Sequence, residues 1–140
     1  MTKIILVRHG HVEGISPERF RGRADLALTP EGLLQAGATA RRIEASWFPA
    51  GLYSSPQSRC RATAEAIGRP FGLTPIPVPG LMDIDYGKWQ GLTPDEVGRK
   101  WPEALDTWYR APHWAAAEVP GEPARCLLQR WQFSPGSCPR

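Results

Sequence analysis

The six residues KIILVR, Lys3 to Arg8, place the strongest constraint on the fold of this chain. The four residues between the charged ends are all apolar, and most are β-branched, so a strand built from them would be hydrophobic on both faces. Such a strand is stable when helices cover both sides, as in a parallel sheet. The segment therefore predicts a buried parallel strand at the start of the chain.

A helix pattern follows in LTPEGLLQAGATARRIEASW. Thr29 is predicted to be its N-cap and Pro30 its first helical residue. Apolar or small residues recur at three- to four-residue spacing and predict the buried face. These residues are Leu33, Gly37, Ala40 and Ile43.

Strand and helix patterns keep alternating after this helix. GLYSS (51–55) predicts a second strand, and Ser55 with Pro56 is predicted to cap the next helix. A short third strand is expected near Ile76 and Val78, where neighbouring prolines suit a sheet edge. LTPDEVGRKWPEALDTWYR predicts two short helices separated at Pro102. This alternation predicts an α/β layered fold.

Composition excludes several classes of protein. With 41% hydrophobic and 22% charged residues, the chain of 140 residues resembles one soluble globular domain. It has no apolar run of membrane-spanning length and no signal-peptide pattern, so a cytoplasmic location without a membrane partner is expected. The three cysteines, Cys60, Cys126 and Cys138, form neither a disulfide framework nor a metal-site spacing.

The net charge of +3 does not indicate nucleic-acid binding. Residues 1–124 contain 14 Lys+Arg and 14 Asp+Glu, so the whole excess lies in residues 125–140. A neutral body with a mildly basic tail lacks the basic surface that binds phosphate backbones.

Arg8, His9 and Gly10 follow the first predicted strand, at the sheet edge where α/β proteins bind ligands. The arginine fork matches phosphate or carboxylate oxygens. An imidazole can attack phosphorus or relay a proton, and glycine lets the backbone approach a ligand closely. Taken alone, the tripeptide favours a structural interpretation, with His9 capping the strand and Arg8 in a salt bridge.

Arg59 strengthens the functional interpretation. It lies in the first turn of the second predicted helix, where free N–H groups and the helix dipole favour anions. Two strand ends would then direct arginines to one place. Arg61 faces another side of the helix and is interpreted as surface charge. Ser54 and Ser55 can donate to an oxyanion, although capping fits Ser55 better.

Two carboxylates, Asp83 and Asp85, occur in LMDIDYGKWQG. A carboxyl group held beside an anion is more easily protonated, because like charge disfavours ionisation, and it could then protonate a leaving oxygen. Ordinary loop carboxylates are the alternative interpretation.

Four motifs, in this order, resemble those of the histidine phosphatase superfamily, which includes cofactor-dependent phosphoglycerate mutases. They are RHG, RFRGRADLALTPEG, YSSPQSRCRATAEAI and DIDYGKWQGLTPDEV, and the resemblance covers about residues 3–122. It implies a three-layer α/β/α sandwich with a mostly parallel sheet, incomplete at the C-terminus. It also implies phosphoryl transfer from a small phosphate ester through a phosphohistidine, without a metal or other cofactor.

The resemblance also assigns roles to individual residues. His9 would be the nucleophile, and Asp83 would be the proton donor. Four further residues are implied to bind or border the phosphate: Arg8, Arg59, Gly10 and Arg21. These roles agree with the chemistry, since phosphoryl transfer needs positioning and charge neutralisation, which arginines supply without a metal.

This chain departs from the family pattern at several positions. Val12 and Ile15 stand where threonine and asparagine are usual, so the asparagine contact with phosphate is absent. His11 replaces a common glutamate and is interpreted as a rim residue. The family's second pocket histidine has no counterpart, because His113 precedes any suitable strand and fits an exposed loop. A weakened phosphate pocket is therefore expected.

The composition changes at Pro123. Residues 123–140 contain no acidic residue, and their apolar residues show no clear helix or strand periodicity. We therefore predict a family-like domain over 1–122 and an irregular tail over 123–140. A truncated or frame-shifted reading is our hypothesis for the tail, which the coding DNA would test. Loss of a central strand would expose apolar surface and an unpaired edge, so marginal stability or association of copies is expected.

Three functions remain open at this point. The first is a phosphomonoesterase of the histidine phosphatase type, which the DYGKWQG region slightly favours. The second is a phosphotransferase acting on phosphoglycerate, like the mutases. The third is a non-catalytic remnant that binds anions through Arg8 and Arg59.

Overall fold

The computed structural model of this chain describes residues 2–110. Their contacts divide them into two compact units, one from residues 2–15 and 25–82 and one from residues 16–24 and 83–110. The predicted boundary at 122, the irregular tail, His113, Cys126 and Cys138 lie outside the described residues.

The first unit contains two helices and a pair of parallel strands. β1 and β2 pair with Tyr53 opposite Ile76 and Ser54 opposite Pro77. In chain order the elements are α1 (Pro30–Glu44), β1 (Tyr53–Ser54), α2 (Ser58–Gly68), a 3₁₀ turn (Arg69–Phe71), β2 (Ile76–Pro77) and a second 3₁₀ turn (Pro79–Leu81).

Helix α1 begins as its sequence predicts. The Thr29 side chain accepts a hydrogen bond from the Gly32 N–H at 3.1 Å, and Pro30 opens the helix. The predicted inner face is only partly right, because Leu33 is 57% exposed. The buried positions are Gly32, Ala36, Ala40 and Ile43. Ala40 and Ile43 pack against Ile67 of α2 in the core of this unit.

The short strands predicted near residues 51–55 and at Ile76 are confirmed. The Ile76 N–H donates to the Leu52 carbonyl and the Val78 N–H to the Ser54 carbonyl, both at 2.8 Å. Pro77, between them, has no N–H to offer on the opposite side. The position of β2 at an edge of the described sheet therefore agrees with its prolines.

The structure differs from the prediction over Lys3–Arg8. No strand forms there, and Ile4 and Leu6 are 82% and 89% exposed. A strand depends on a neighbour that satisfies its backbone N–H and C=O groups. Within residues 2–110 the sheet consists of β1 and β2 alone, and neither pairs with this segment.

The second unit is built around aromatic side chains. Trp89, Val97 and Ala104 form its buried core, and Phe20 packs against Trp89 with ring centroids 5.2 Å apart. Its elements are a 3₁₀ turn (Gly87–Trp89), α3 (Pro94–Lys100) and α4 (Pro102–Arg110). The predicted break between two short helices at Pro102 is confirmed. Across the described part of both units, no helix is long and apolar enough to cross a membrane.

Two glycines bring the His9 loop against the start of α1. A Cβ at Gly10 would collide with the Gly32 carbonyl, and a Cβ at Gly32 would collide with the His11 carbonyl. The two backbones touch directly, so neither position has room for a side chain. Gly37, one turn further along α1, has open space around it, with its nearest neighbour at 3.8 Å.

This difference predicts opposite effects for two alanine substitutions on one helix. Gly37→Ala should raise the free energy of unfolding by about 0.5–1 kcal/mol, because alanine is the better helix former. Gly32→Ala gains the same propensity but displaces the loop backbone, so it should lower stability by roughly 1–3 kcal/mol. Urea unfolding followed by circular dichroism measures both. Equal effects of the two substitutions would contradict this packing.

Candidate active site

The His9 side chain is held by the backbone of its own loop. Its Nδ1 lies 2.7 Å from the Gly10 carbonyl oxygen, and the ring is half-buried. Because a carbonyl only accepts, this bond requires the proton on Nδ1. In the neutral ring, the lone pair is then on Nε2.

Gly10 connects this loop to helix α2. Its buried N–H donates to Thr63 Oγ1 at 3.1 Å, and the same hydroxyl donates to the Arg59 carbonyl oxygen at 2.8 Å. Two hydrogen bonds therefore join the residue after His9 to the backbone of Arg59. Through Thr63, the structure thus links three of the predicted site residues, His9, Gly10 and Arg59.

Arg59 is a deeply buried residue near the start of helix α2. It lies in the first turn of α2, as predicted, and the residue is only 1% exposed. A guanidinium this deeply buried is stable only among compensating polar or anionic groups. Arg61, in contrast, is exposed and pairs with Glu65 at 3.4 Å, which confirms its interpretation as surface charge.

Asp25 caps helix α2, and sequence reasoning missed it. Its Oδ1 accepts the Ser58 N–H at 2.7 Å and its Oδ2 accepts the Ser58 hydroxyl at 2.8 Å. The predicted cap, Ser55, instead accepts the Gln57 N–H at 3.4 Å. Asp25 and Ser58 are 33 residues apart in the sequence, so no local sequence signal reveals this hydrogen bonding.

The capping bonds change the acidity of Asp25. Hydrogen bonds from the Ser58 backbone and side chain, together with the charges of Arg59 and Arg61, hold the pKa of this carboxyl below its usual value. A lowered pKa stabilises the folded state above the usual carboxyl range, and that contribution is lost as the pH falls through the folded-state pKa.

Asp25→Asn should therefore lower the melting temperature at pH 7 by roughly 2–4 °C, because the charge at the helix N-terminus is lost. The difference from wild type should shrink only as the pH falls through the folded-state pKa of Asp25, which lies below the usual carboxyl value. Differential scanning calorimetry between pH 2.5 and 7 measures this. Ser58→Ala completes a double-mutant cycle, and a coupling near zero at pH 7 would contradict the cap.

Arg8 and His11 flank the central residues of the loop. The Arg8 side chain is exposed. His11, expected at the rim, contacts α1 and its N-cap: its Nδ1 lies 2.8 Å from Thr29 Oγ1, and its backbone N–H donates to Gln35 Oε1 at 2.8 Å. Val12 is fully buried, so it serves the core where the family usually has threonine.

Arg21 and Asp83 belong to the second unit. Both line a cavity of about 150 Å³ beside Tyr86, and the Asp83 side chain is exposed, with Oδ1 accepting the Ile84 N–H at 2.8 Å. Burial and the nearby Asp83 charge raise the pKa of Tyr86 to about 12, so its phenol remains a hydrogen-bond donor.

The two carboxylates of the DIDYG motif have different surroundings. Asp85 accepts the Gly87 N–H at 2.9 Å and pairs with Arg23 at 3.6 Å, so it has structural partners. Asp83 is the accessible carboxylate of the pair, although the roles of both remain predictions. Among residues 2–110, no group of three or more His, Cys, Asp or Glu side chains is arranged to hold a metal ion.

The model of the histidine phosphatase superfamily (branch 1) matches residues 4–133. The chain belongs to the histidine phosphatase superfamily. The matched range includes all four sequence motifs and extends beyond Pro123, into the segment whose composition differs.

Two curated relatives show what this chain resembles within the superfamily. Phosphoserine phosphatase 1 of Hydrogenobacter thermophilus is 34% identical over 113 residues, which are 81% of this chain and 53% of the relative. The 2,3-bisphosphoglycerate-dependent phosphoglycerate mutase of Brucella ovis is 34% identical over 114 residues, 77% of this chain and 55% of the relative. The chain thus spans about half the length of these curated relatives.

A solved structure confirms the fold class. Mycobacterial glucosyl-3-phosphoglycerate phosphatase, in a complex with VO₃, matches with a TM-score of 0.76 and 29% identity. The match covers 87% of this chain and 59% of that protein. The described helices and parallel strands are therefore those of an α/β histidine phosphatase fold, present here in part.

Proposed function

We propose that this chain is a phosphomonoester hydrolase that transfers the phosphoryl group of a small phosphate ester through His9. The observation that carries this proposal is the bond from His9 Nδ1 to the Gly10 carbonyl, which in the neutral imidazole places the lone pair on Nε2. The phosphatase names of two of its relatives support the same reaction.

The proposed reaction has two steps. His9 Nε2 attacks phosphorus, the N–P bond forms, and the bond from phosphorus to the ester oxygen breaks. Asp83 is the group proposed to give a proton to the departing alcohol. A water molecule then attacks the phosphohistidine and gives one proton back to Asp83. The N–P bond breaks, and inorganic phosphate and the free imidazole are released.

The arginines supply the charge that this reaction needs. Negative charge on the three equatorial oxygens must be neutralised at the transition state. Arg59, positioned by α2, and the exposed Arg8 beside His9 are proposed to provide it. A buried guanidinium is well suited, because electrostatic interactions strengthen where water is excluded.

A mutase is the second candidate, because the relative from Brucella ovis carries that name at the same 34% identity. A mutase returns the phosphoryl group to a phosphoglycerate instead of to water. The third candidate is a protein that binds anions through Arg8 and Arg59 without turnover. A mutase differs from a phosphatase in the acceptor of the phosphoryl group, and an anion-binding protein forms no phosphohistidine.

Phosphohistidine formation is the primary test. Wild-type protein incubated with a ³²P-labelled activated phosphoryl donor should acquire acid-labile, base-stable label. His9→Ala should lose this label completely, because the nucleophile is gone, whereas His113→Ala should retain it. Mass spectrometry of the peptide carrying residues 3–19 should locate the phosphoryl group on His9.

The fate of the label separates the three functions. Loss of label to water as inorganic phosphate supports the phosphatase. Transfer to 3-phosphoglycerate, in reactions primed with 2,3-bisphosphoglycerate, supports the mutase. Binding of inorganic phosphate without any label would overturn both enzymes and leave the anion-binding protein.

A further inference from the structure

The structure assigns Thr63 as a positioning residue that sets the placement of the His9 loop relative to Arg59. This inference rests on the proposed function of His9 and Arg59, and nothing in the sequence motifs singles Thr63 out. Its hydroxyl contacts both partners at once, from a position where water has little access.

The direction of both hydrogen bonds follows from the chemistry of the partners. A hydroxyl has one proton, and the Arg59 carbonyl at 2.8 Å can only accept it. A lone pair of Thr63 Oγ1 is then left for the Gly10 N–H at 3.1 Å. The donor and acceptor capacity of the hydroxyl is thus matched to the His9 loop and to helix α2.

Burial makes the hydrogen bond between Gly10 and Thr63 difficult to replace. Thr63 is only 5% exposed, and Gly10 is also buried. A buried backbone N–H that loses its acceptor is strongly disfavoured, because no water replaces the bond. Gly10 therefore has a single favourable position with respect to α2, although 53 residues separate it from Thr63.

The same peptide segment orients the nucleophile. The Gly10 N–H is fixed by Thr63, and the Gly10 carbonyl holds His9 Nδ1 at 2.7 Å. On its other side, Gly10 lies directly against the Gly32 backbone of α1. A shift of Gly10 would therefore move the imidazole, and misplacement by about 1 Å can reduce a reaction rate roughly a hundredfold.

Helix α1 offers a matched control. Thr39 makes the same bond to the carbonyl four residues earlier, at 2.9 Å from Thr39 Oγ1 to the Gln35 oxygen. Thr39→Val removes this intrahelical bond at a distance from the loop, whereas Thr63→Val removes it together with the Gly10 acceptor. Thr63→Ser preserves the hydroxyl.

The first measurement is the rate at which His9 acquires label from the activated phosphoryl donor. Thr63→Val should slow labelling by roughly ten- to a hundredfold at saturating donor, whereas Thr63→Ser should remain within about threefold of wild type. Thr39→Val should label like wild type. Equal rates for Thr63→Val and Thr39→Val, both folded by circular dichroism, would overturn the assignment.

The second measurement does not require activity. The ¹⁵N chemical shifts of the imidazole report which ring nitrogen of His9 carries the proton. Wild type, Thr63→Ser and Thr39→Val should show a single Nδ1–H tautomer, and Thr63→Val should show a mixture of tautomers. An unchanged tautomer in Thr63→Val would refute the positioning role. Absence of label on wild type would instead refute the proposed function, and the tautomer comparison would still decide the role of Thr63.

Wild-type protein provides a third measurement, for use if Thr63→Val does not fold. The Gly10 amide should exchange with deuterium far more slowly than an unprotected loop amide, because its N–H is bonded and buried. Exchange at the rate of an unprotected peptide would overturn the assignment without any variant.

Discussion

The candidate site in the first unit depends on the two hydrogen bonds that the Thr63 hydroxyl makes. This hydroxyl joins the backbone that carries His9 to the backbone that carries Arg59. Neither segment belongs to a strand in the described part of the chain, so strand pairing does not fix their separation. A buried hydrogen bond with well-defined donor and acceptor can provide this precision, because every alternative leaves a polar group without a partner.

Several features of the fold follow from local signals and could be predicted. The N-cap at Thr29, the short strands around Tyr53 and Ile76, and the break at Pro102 depend on residues close together in the sequence. Proline and threonine act through their own backbone geometry and side-chain reach, so no distant partner is required. The four motifs also indicated the family, because they matched in identity and in order.

Other features depend on partners that the sequence does not reveal. The run at Lys3–Arg8 has a strand composition, but a strand forms only beside another, and the described sheet offers it no place. The exposure of Leu33 reflects a long-range constraint, since the side of α1 that carries Gly32 faces the His9 loop. The cap by Asp25 and the hydroxyl of Thr63 each join segments more than 30 residues apart.

A crystal structure of this chain with bound orthovanadate would test the central claim most directly. Vanadate adopts the five-coordinate geometry of phosphorus during transfer. We expect vanadium bonded to His9 Nε2, guanidinium nitrogens of Arg59 about 3 Å from its oxygens, and the Gly10 to Thr63 bond intact. Vanadate bound elsewhere, or bound at His9 with the Arg59 side chain directed away from it, would contradict the claim that one anion is shared by these two groups.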